Sequence, residues 1–220
     1  MSRAILFDFN GVIVDDEPQH CEALIATLAT YGYSLDREGY YRDYLGFDDR
    51  ECFRFTFARM GLQPGPATIA EAIERKAALY DKAIHATLSL VPGSAGFVRR
   101  AADEGFRLAV VSGALRREID LVLTLSGLHT LFEVIVAAED VANCKPSPEG
   151  YHKARYALGV EPDRCLVIED SLPGLEAARG AGLRCAMIAT SYPAEALAAA
   201  DLVWPTLEGR TPAELPWRDG

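Results

Sequence analysis

Short apolar runs, each stopped by a polar residue and followed by an amphipathic stretch, recur through this chain and leave it few folds to choose from. The first, Ala4-Ile5-Leu6-Phe7, is too short for a helix and lacks the polar alternation of a half-solvated strand. It therefore suits a strand buried on both faces of a parallel sheet. From Ala95 the alternation is regular: helix to Glu104, strand Arg107 to Val111, helix Arg116 to Leu125, strand Val134 to Ala137, helix Pro148 to Leu158. Strand Cys165 to Ile168, helix Leu172 to Ala181, strand Arg184 to Ile188, an Ala-rich helix Ala194 to Ala200 and a last strand Leu202 to Trp204 continue it. Right-handed crossovers make such a sheet parallel, with helices on both faces.

Between the first strand and this series the period changes. Cys21, Leu24, Ile25, Leu28 and Tyr31 form one amphipathic stripe, and Ile69, Ile73, Ala77, Tyr80 and Ile84 another. Two more helices are predicted near Arg37 to Tyr44 and Asp49 to Met60, with breaks at Gly46 and from Gly61 to Pro66. No strand pattern intervenes. The expected organisation is an α/β, Rossmann-like core of residues 1–15 and 89–220, with an all-helical domain of residues 16–88 inserted after the first strand. Residues 206–220, with prolines at 212 and 216, read as a loosely attached tail.

At 220 residues the chain can bury a full core with room for this insertion. Its net charge of −10 argues against nucleic acid or an anionic membrane as partner. An anionic substrate would need a local cation. Five cysteines without metal-ligand spacing fit a reduced compartment, and no apolar run approaches the 18 or so residues of a membrane span. A cytoplasmic monomer is expected.

The candidate chemistry lies where strands hand over to loops. Asp8 closes the first strand, with Gly11 supplying a sharp turn after it. Ser112 follows the second strand, with the Gly113 and Ala114 amides beside it at a helix start, a setting that favours an anion. Lys145 is held out of helical geometry by Pro146, and Glu169-Asp170 ends a buried strand. Carboxylates brought near Asp8 would repel unless a cation joined them, and Mg²⁺ takes such hard oxygen ligands. Asp170 or Ser171 also suits the cap of the next helix.

In this order and context the four motifs, FDxxG, strand-Ser-Gly, KPxPE and the Glu-Asp pair, resemble those of the haloacid dehalogenase superfamily. The likeness is greatest to its phosphatases and β-phosphoglucomutases with a small helical cap, and it runs from Ala4 to about Trp204. It implies a phosphoric monoester hydrolase in which Asp8 is the nucleophile and forms an aspartyl-phosphate. Asp8, the Asn10 carbonyl, Glu169 and Asp170 would hold Mg²⁺, while Ser112, Gly113, Ala114 and Lys145 would bind the phosphate. His20, Arg50 and Lys76 would select the substrate from the cap. A sugar phosphate is the expected substrate; a phosphosugar mutase and a catalytically weakened phosphate-binding module are the alternatives.

One position departs from that family. Its phosphatases carry a second Asp two residues after the nucleophile, where this chain has Asn10, which cannot exchange a proton at neutral pH. An additional carboxylate appears instead at Asp16, where a Ser or Thr is usual. Asp16 is expected to face Asn10 and to take over part of its acid/base task, against the simpler reading of an exposed hinge residue or helix N-cap.

Overall fold

The computed structural model describes residues 3–217. Along the chain β1 (Ala4–Phe7) leads into α1 (Glu17–Ala29), α2 (Arg37–Asp43), α3 (Asp49–Arg59) and α4 (Pro66–Thr87). There follow α5 (Ser94–Asp103), β2 (Arg107–Val111), α6 (Arg116–Leu125), β3 (Val134–Val136), α7 (Glu149–Leu158), β4 (Cys165–Glu169), α8 (Leu172–Gly180), β5 (Arg184–Ile188) and β6 (Leu202–Trp204). Two compact units result, one of the residues up to Asp15 and from Ser89 onward, the other Asp16–Leu88.

In the first unit the strands form one parallel sheet in the order β3-β2-β1-β4-β5-β6. Consecutive β1 residues serve opposite faces. Leu6 joins Val167, Met187, Tyr151 of α7 and Leu175 of α8 in one cluster, while Phe7 meets Phe97 and Phe132 edge-to-face at 6.2 and 5.8 Å on the other side. This double burial is why β1 carries no polar residue before Asp8. The strand order turns back between β1 and β4, where the carboxyl ends of a doubly wound sheet leave a crevice. Asp8 and Glu169 are thereby neighbours: the Asp8 amide extends the β1–β4 ladder to the Ile168 carbonyl at 2.9 Å.

The second unit is helical among its described residues. Cys21, Leu24 and Leu28 of α1 pack with Tyr40, Tyr44, Phe53, Phe57, Ile69 and Ala72. Asp36 and Asp48 cap α2 and α3 by accepting the Gly39 and Glu51 amides, each at 2.8 Å.

Two expectations fail. The Ala-rich segment after β5 forms only a four-residue 3₁₀ turn, Ala194–Leu197. Leu197 alone in that turn is buried, so helix propensity finds no apolar stripe to anchor it. The tail is docked rather than loose: Leu207, Pro212 and Leu215 are buried, and Trp217 stacks on Phe106 at 5.4 Å and donates its indole N–H to the Pro212 carbonyl at 2.8 Å. Residues 218–220 lie outside the described residues.

The tail passes over Gly93. That residue has φ +84°, and a Cβ there would lie 2.3 Å from the Glu208 amide nitrogen. Gly93→Ala is expected to cost about 2 kcal/mol or more, from the left-handed backbone together with displacement of the tail, read as a lower urea midpoint. No helix of the described residues is long and apolar enough to cross a membrane. All five cysteines are free thiols.

Candidate active site

At the carboxyl edge of the sheet the loop after β1 folds tightly on itself. The Gly11 amide donates to the Val14 carbonyl at 2.8 Å and the Ile13 amide to the Phe9 carbonyl at 2.8 Å, and Asn10 bridges Val14. Gly11 holds φ +74°, and a Cβ on it would stand 2.0 Å from Asp170 Oδ2, so only glycine lets this loop lie against β4. The Val91 amide and the Ser94 hydroxyl both donate to the Ile13 carbonyl, tying the loop to the segment that re-enters the sheet unit.

Lys145 is the charge centre. Its Nζ lies 2.5 Å from Asp8 Oδ1 and 2.6 Å from Glu169 Oε1. Glu169, fully buried, has both oxygens engaged. Oε1 also accepts the Tyr151 hydroxyl at 3.0 Å, and Oε2 accepts the Asp170 and Ser171 amides and the Ser171 hydroxyl. Burial would push the Glu169 carboxyl up, but the Lys145 charge and these donors hold it below the ordinary glutamate range. Burial likewise works against the Lys145 ammonium, and its two carboxylates outweigh that, raising it above the usual lysine value. Asp8 goes the other way. Burial, then the negative Glu169, push it up to about 7 despite Lys145. Burial, then Asp8 and Glu169, hold Asp170 well above the usual carboxyl range.

Asp8, Glu169 and Asp170 each place a carboxylate oxygen within 4.8 Å of the others. Three ionised carboxylates against one ammonium would leave two negative charges in a buried site; without a cation Asp8 and Asp170 hold on to protons instead, and a divalent cation is what would let all three ionise. The donor set is all oxygen, as a hard cation requires. Glu169, saturated by five donors, is better placed to hold Lys145 than to ligate.

Ser112 continues β2 toward β3, its amide donating to the Val136 carbonyl at 2.9 Å, and its hydroxyl lies 3.4 Å from Asn10 Oδ1. The Ala114 amide donates to Ser112 Oγ at 3.0 Å and so orients that hydroxyl. Ser112, Gly113, Lys145 and Tyr151 line one small cleft. Ser171 caps α8 by accepting the Gly174 amide, so the cap role falls to Ser171 and not to Asp170.

Within the helical unit a second buried polar cluster forms. Asp16 is the N-cap residue of α1, as one reading had it, but its side chain makes no capping hydrogen bond and is fully buried, so the exposed-hinge reading fails. The Tyr80 hydroxyl donates to Asp16 Oδ2, and His20 Nε2 lies 3.3 Å from the same oxygen. Lys76 Nζ is 2.8 Å from His20 Nδ1 and 2.5 Å from Asp49 Oδ1. An ammonium only donates, so His20 Nδ1 accepts and the ring carries its proton on Nε2, toward Asp16. His20 also stacks on Tyr80 with ring centroids 4.4 Å apart. Arg50 is exposed on α3, whereas its neighbour Asp49 joins the cluster. Asp49, Tyr151 and Ser191, whose hydroxyl donates to Asp170 Oδ2, escaped the sequence reading because each acts through a partner distant along the chain.

The same arrangement of sequence and structure recurs in known proteins. Residues 5–188 match the haloacid dehalogenase-like hydrolase family. Protein CbbY of Rhodobacter capsulatus is 31% identical, covering 97% of both chains. Validoxylamine A 7′-phosphate phosphatase of Streptomyces hygroscopicus subsp. limoneus is 32% identical over 92% of this chain and 93% of its own. The crystal structure of CbbY from Rhodobacter sphaeroides in complex with phosphate superposes with a TM-score of 0.85 at 32% identity, covering 97% of this chain and 98% of that one. This chain belongs to the haloacid dehalogenase-like hydrolases.

Proposed function

We propose that the protein hydrolyses a phosphate monoester of a small sugar or related polyol in a Mg²⁺-dependent reaction through an aspartyl-phosphate on Asp8. The observation that carries this reading is the convergence of three carboxylates, Asp8, Glu169 and Asp170, with the single ammonium of Lys145 on one buried edge. Phosphoryl transfer asks chiefly for an in-line nucleophile and neutralised oxygens. Asp8, Asp170 and the Asn10 carbonyl would hold Mg²⁺, with Glu169 contributing mainly through Lys145. When bound, the ion supplies charge neutralisation at the transferred oxygens.

A carboxylate oxygen of Asp8 forms a bond to phosphorus as the ester P–O bond breaks, and the departing sugar oxygen takes a proton. Water then attacks the aspartyl-phosphate, gives up a proton, and releases inorganic phosphate. Ser112 and the Gly113 amide bind the phosphoryl oxygens, with Ser112 held by the Ala114 amide. His20 and Lys76 contribute to substrate selection as a linked pair, and Arg50 from the exposed face of α3.

Asn10 transfers no proton, and we assign that task to Asp16, six residues further on. Support comes from its being an ionisable residue where the family usually has Ser or Thr, and from the Tyr80 and His20 donors that fix its carboxylate. Asp16→Ser is expected to slow breakdown of the aspartyl-phosphate about 10² to 10⁴-fold in single-turnover kinetics, and Asn10→Asp in that background to restore part of it. An unchanged rate in Asp16→Ser removes the assignment.

The reading as a whole is tested with a panel of sugar and polyol monophosphates. Turnover should vanish in excess EDTA and return with Mg²⁺; undiminished phosphate release in EDTA refutes it. Conversion of a hexose 1-phosphate to the 6-phosphate without phosphate release would indicate a mutase. Metal-dependent binding without turnover would indicate a weakened binding module.

A further inference from the structure

The turn after β5 lies just beyond the residues that match the family, and it grips the candidate metal site. Thr190 Oγ1 donates to the Gly11 carbonyl at 2.6 Å, and Ser191 Oγ donates to Asp170 Oδ2. That oxygen is enclosed from a second side as well, since a Cβ on Gly11 would stand 2.0 Å from it and 3.2 Å from Ser191 Oγ. Asp170 itself is buried, although Ser191 is exposed as a residue. A surface serine thus determines which oxygen of a buried carboxylate is spoken for. That leaves the other, Oδ1, as the oxygen through which Asp170 could meet a cation.

A carboxylate that offers one oxygen suits a different ion from one that offers two. Mg²⁺ demands near-octahedral coordination by six oxygens at short range, whereas Ca²⁺ takes six to eight oxygens in flexible geometry and accepts bidentate carboxylates. Resting on the reading of Asp8 and Asp170 as metal ligands, we propose that Ser191 is a positioning residue that restricts Asp170 to single-oxygen ligation and so makes the site prefer Mg²⁺ to Ca²⁺. Thr190 supports this by holding the Gly11 carbonyl, which keeps the loop pressed against Oδ2. Without the Ser191 hydroxyl the carboxylate can rotate and present both oxygens, adding a ligand that a larger ion uses and a small octahedral one does not.

The experiment is calorimetric titration of the metal-free full-length protein with MgCl₂ and, separately, CaCl₂. Ser191→Ala should lower the Mg²⁺ over Ca²⁺ affinity ratio about tenfold, within the 10–100-fold range usual for groups that orient metal ligands, and Ser191→Thr should restore it. An unchanged ratio in Ser191→Ala, or both ions weakened equally, overturns the proposal. Asp170→Asn separates this from the underlying reading. Loss of Mg²⁺ binding in Asp170→Asn with an unaltered ratio in Ser191→Ala refutes the role of Ser191 alone, whereas Mg²⁺ binding undisturbed by Asp170→Asn refutes the metal site and with it the proposal.

Discussion

Asp8→Asn is expected to lose more than about 10³-fold in turnover and yet to unfold at higher urea than the wild type when both are metal-free at pH 8. The two effects share one cause. Burial and the neighbouring Glu169 raise the Asp8 carboxyl from 3.8 to about 7. A carboxyl whose folded value lies above its unfolded value stabilises fully below about 3.8, and the benefit is lost as pH climbs through about 7. At pH 8 the ionised Asp8 therefore costs on the order of 2–4 kcal/mol, which a neutral amide of the same shape recovers. The gain should shrink toward pH 4, and a divalent cation should reverse the order by stabilising the wild type preferentially. Urea unfolding at pH 4 and pH 8 with chelator, then with Mg²⁺, checks all three points. Nucleophiles held at such a cost are a recurrent source of the trade-off between stability and activity.

Lys145→Met carries the opposite sign. The ammonium joins Asp8 and Glu169 at 2.5 and 2.6 Å, and its removal leaves three carboxylates in one buried cluster without a counter-charge. Breaking a buried pair from one side costs about 3–5 kcal/mol, and loss of a positioned cation at the transferred phosphoryl costs about 10²–10³-fold in rate. Without Lys145 the Asp8 carboxyl loses its main source of lowering, so it binds a proton at still higher pH than in the wild type. The stability deficit of the metal-free variant should consequently narrow as pH falls from 8 toward about 7, because Asp8 takes up its proton earlier in the variant and then no longer repels Glu169. A deficit that stays constant from pH 5 to pH 8 would mean that the lysine contributes packing alone.

Much of this site was legible in the sequence because topology gathers it. Asp8, Ser112, Lys145 and Glu169 stand at the ends of strands or in the loops that follow them, and a parallel sheet delivers all such loops to one edge. The strands were legible for the same reason that they are buried: β1 and β4 carry uninterrupted apolar runs. What could not be read depends on partners rather than on pattern. Asp49 matters through Lys76 and Ser191 through Asp170, and nothing local marks either. The Ala-rich segment misled because propensity without an apolar stripe does not make a helix. Residues 206–217 misled because two prolines suggested a free tail, while Leu207, Leu215 and Trp217 supply the apolar surface that docks it.

Covalent phosphorylation of Asp8 is the step on which the proposed mechanism turns. Acid quenching during turnover of a sugar monophosphate, reduction with borohydride, and peptide mass analysis test it directly, since reduction of an aspartyl-phosphate leaves homoserine in place of the aspartate. The predicted result is homoserine at position 8, dependent on both substrate and Mg²⁺ and absent from Asp8→Asn. Steady phosphate release with an unmodified Asp8, or with the label at another residue, would contradict it.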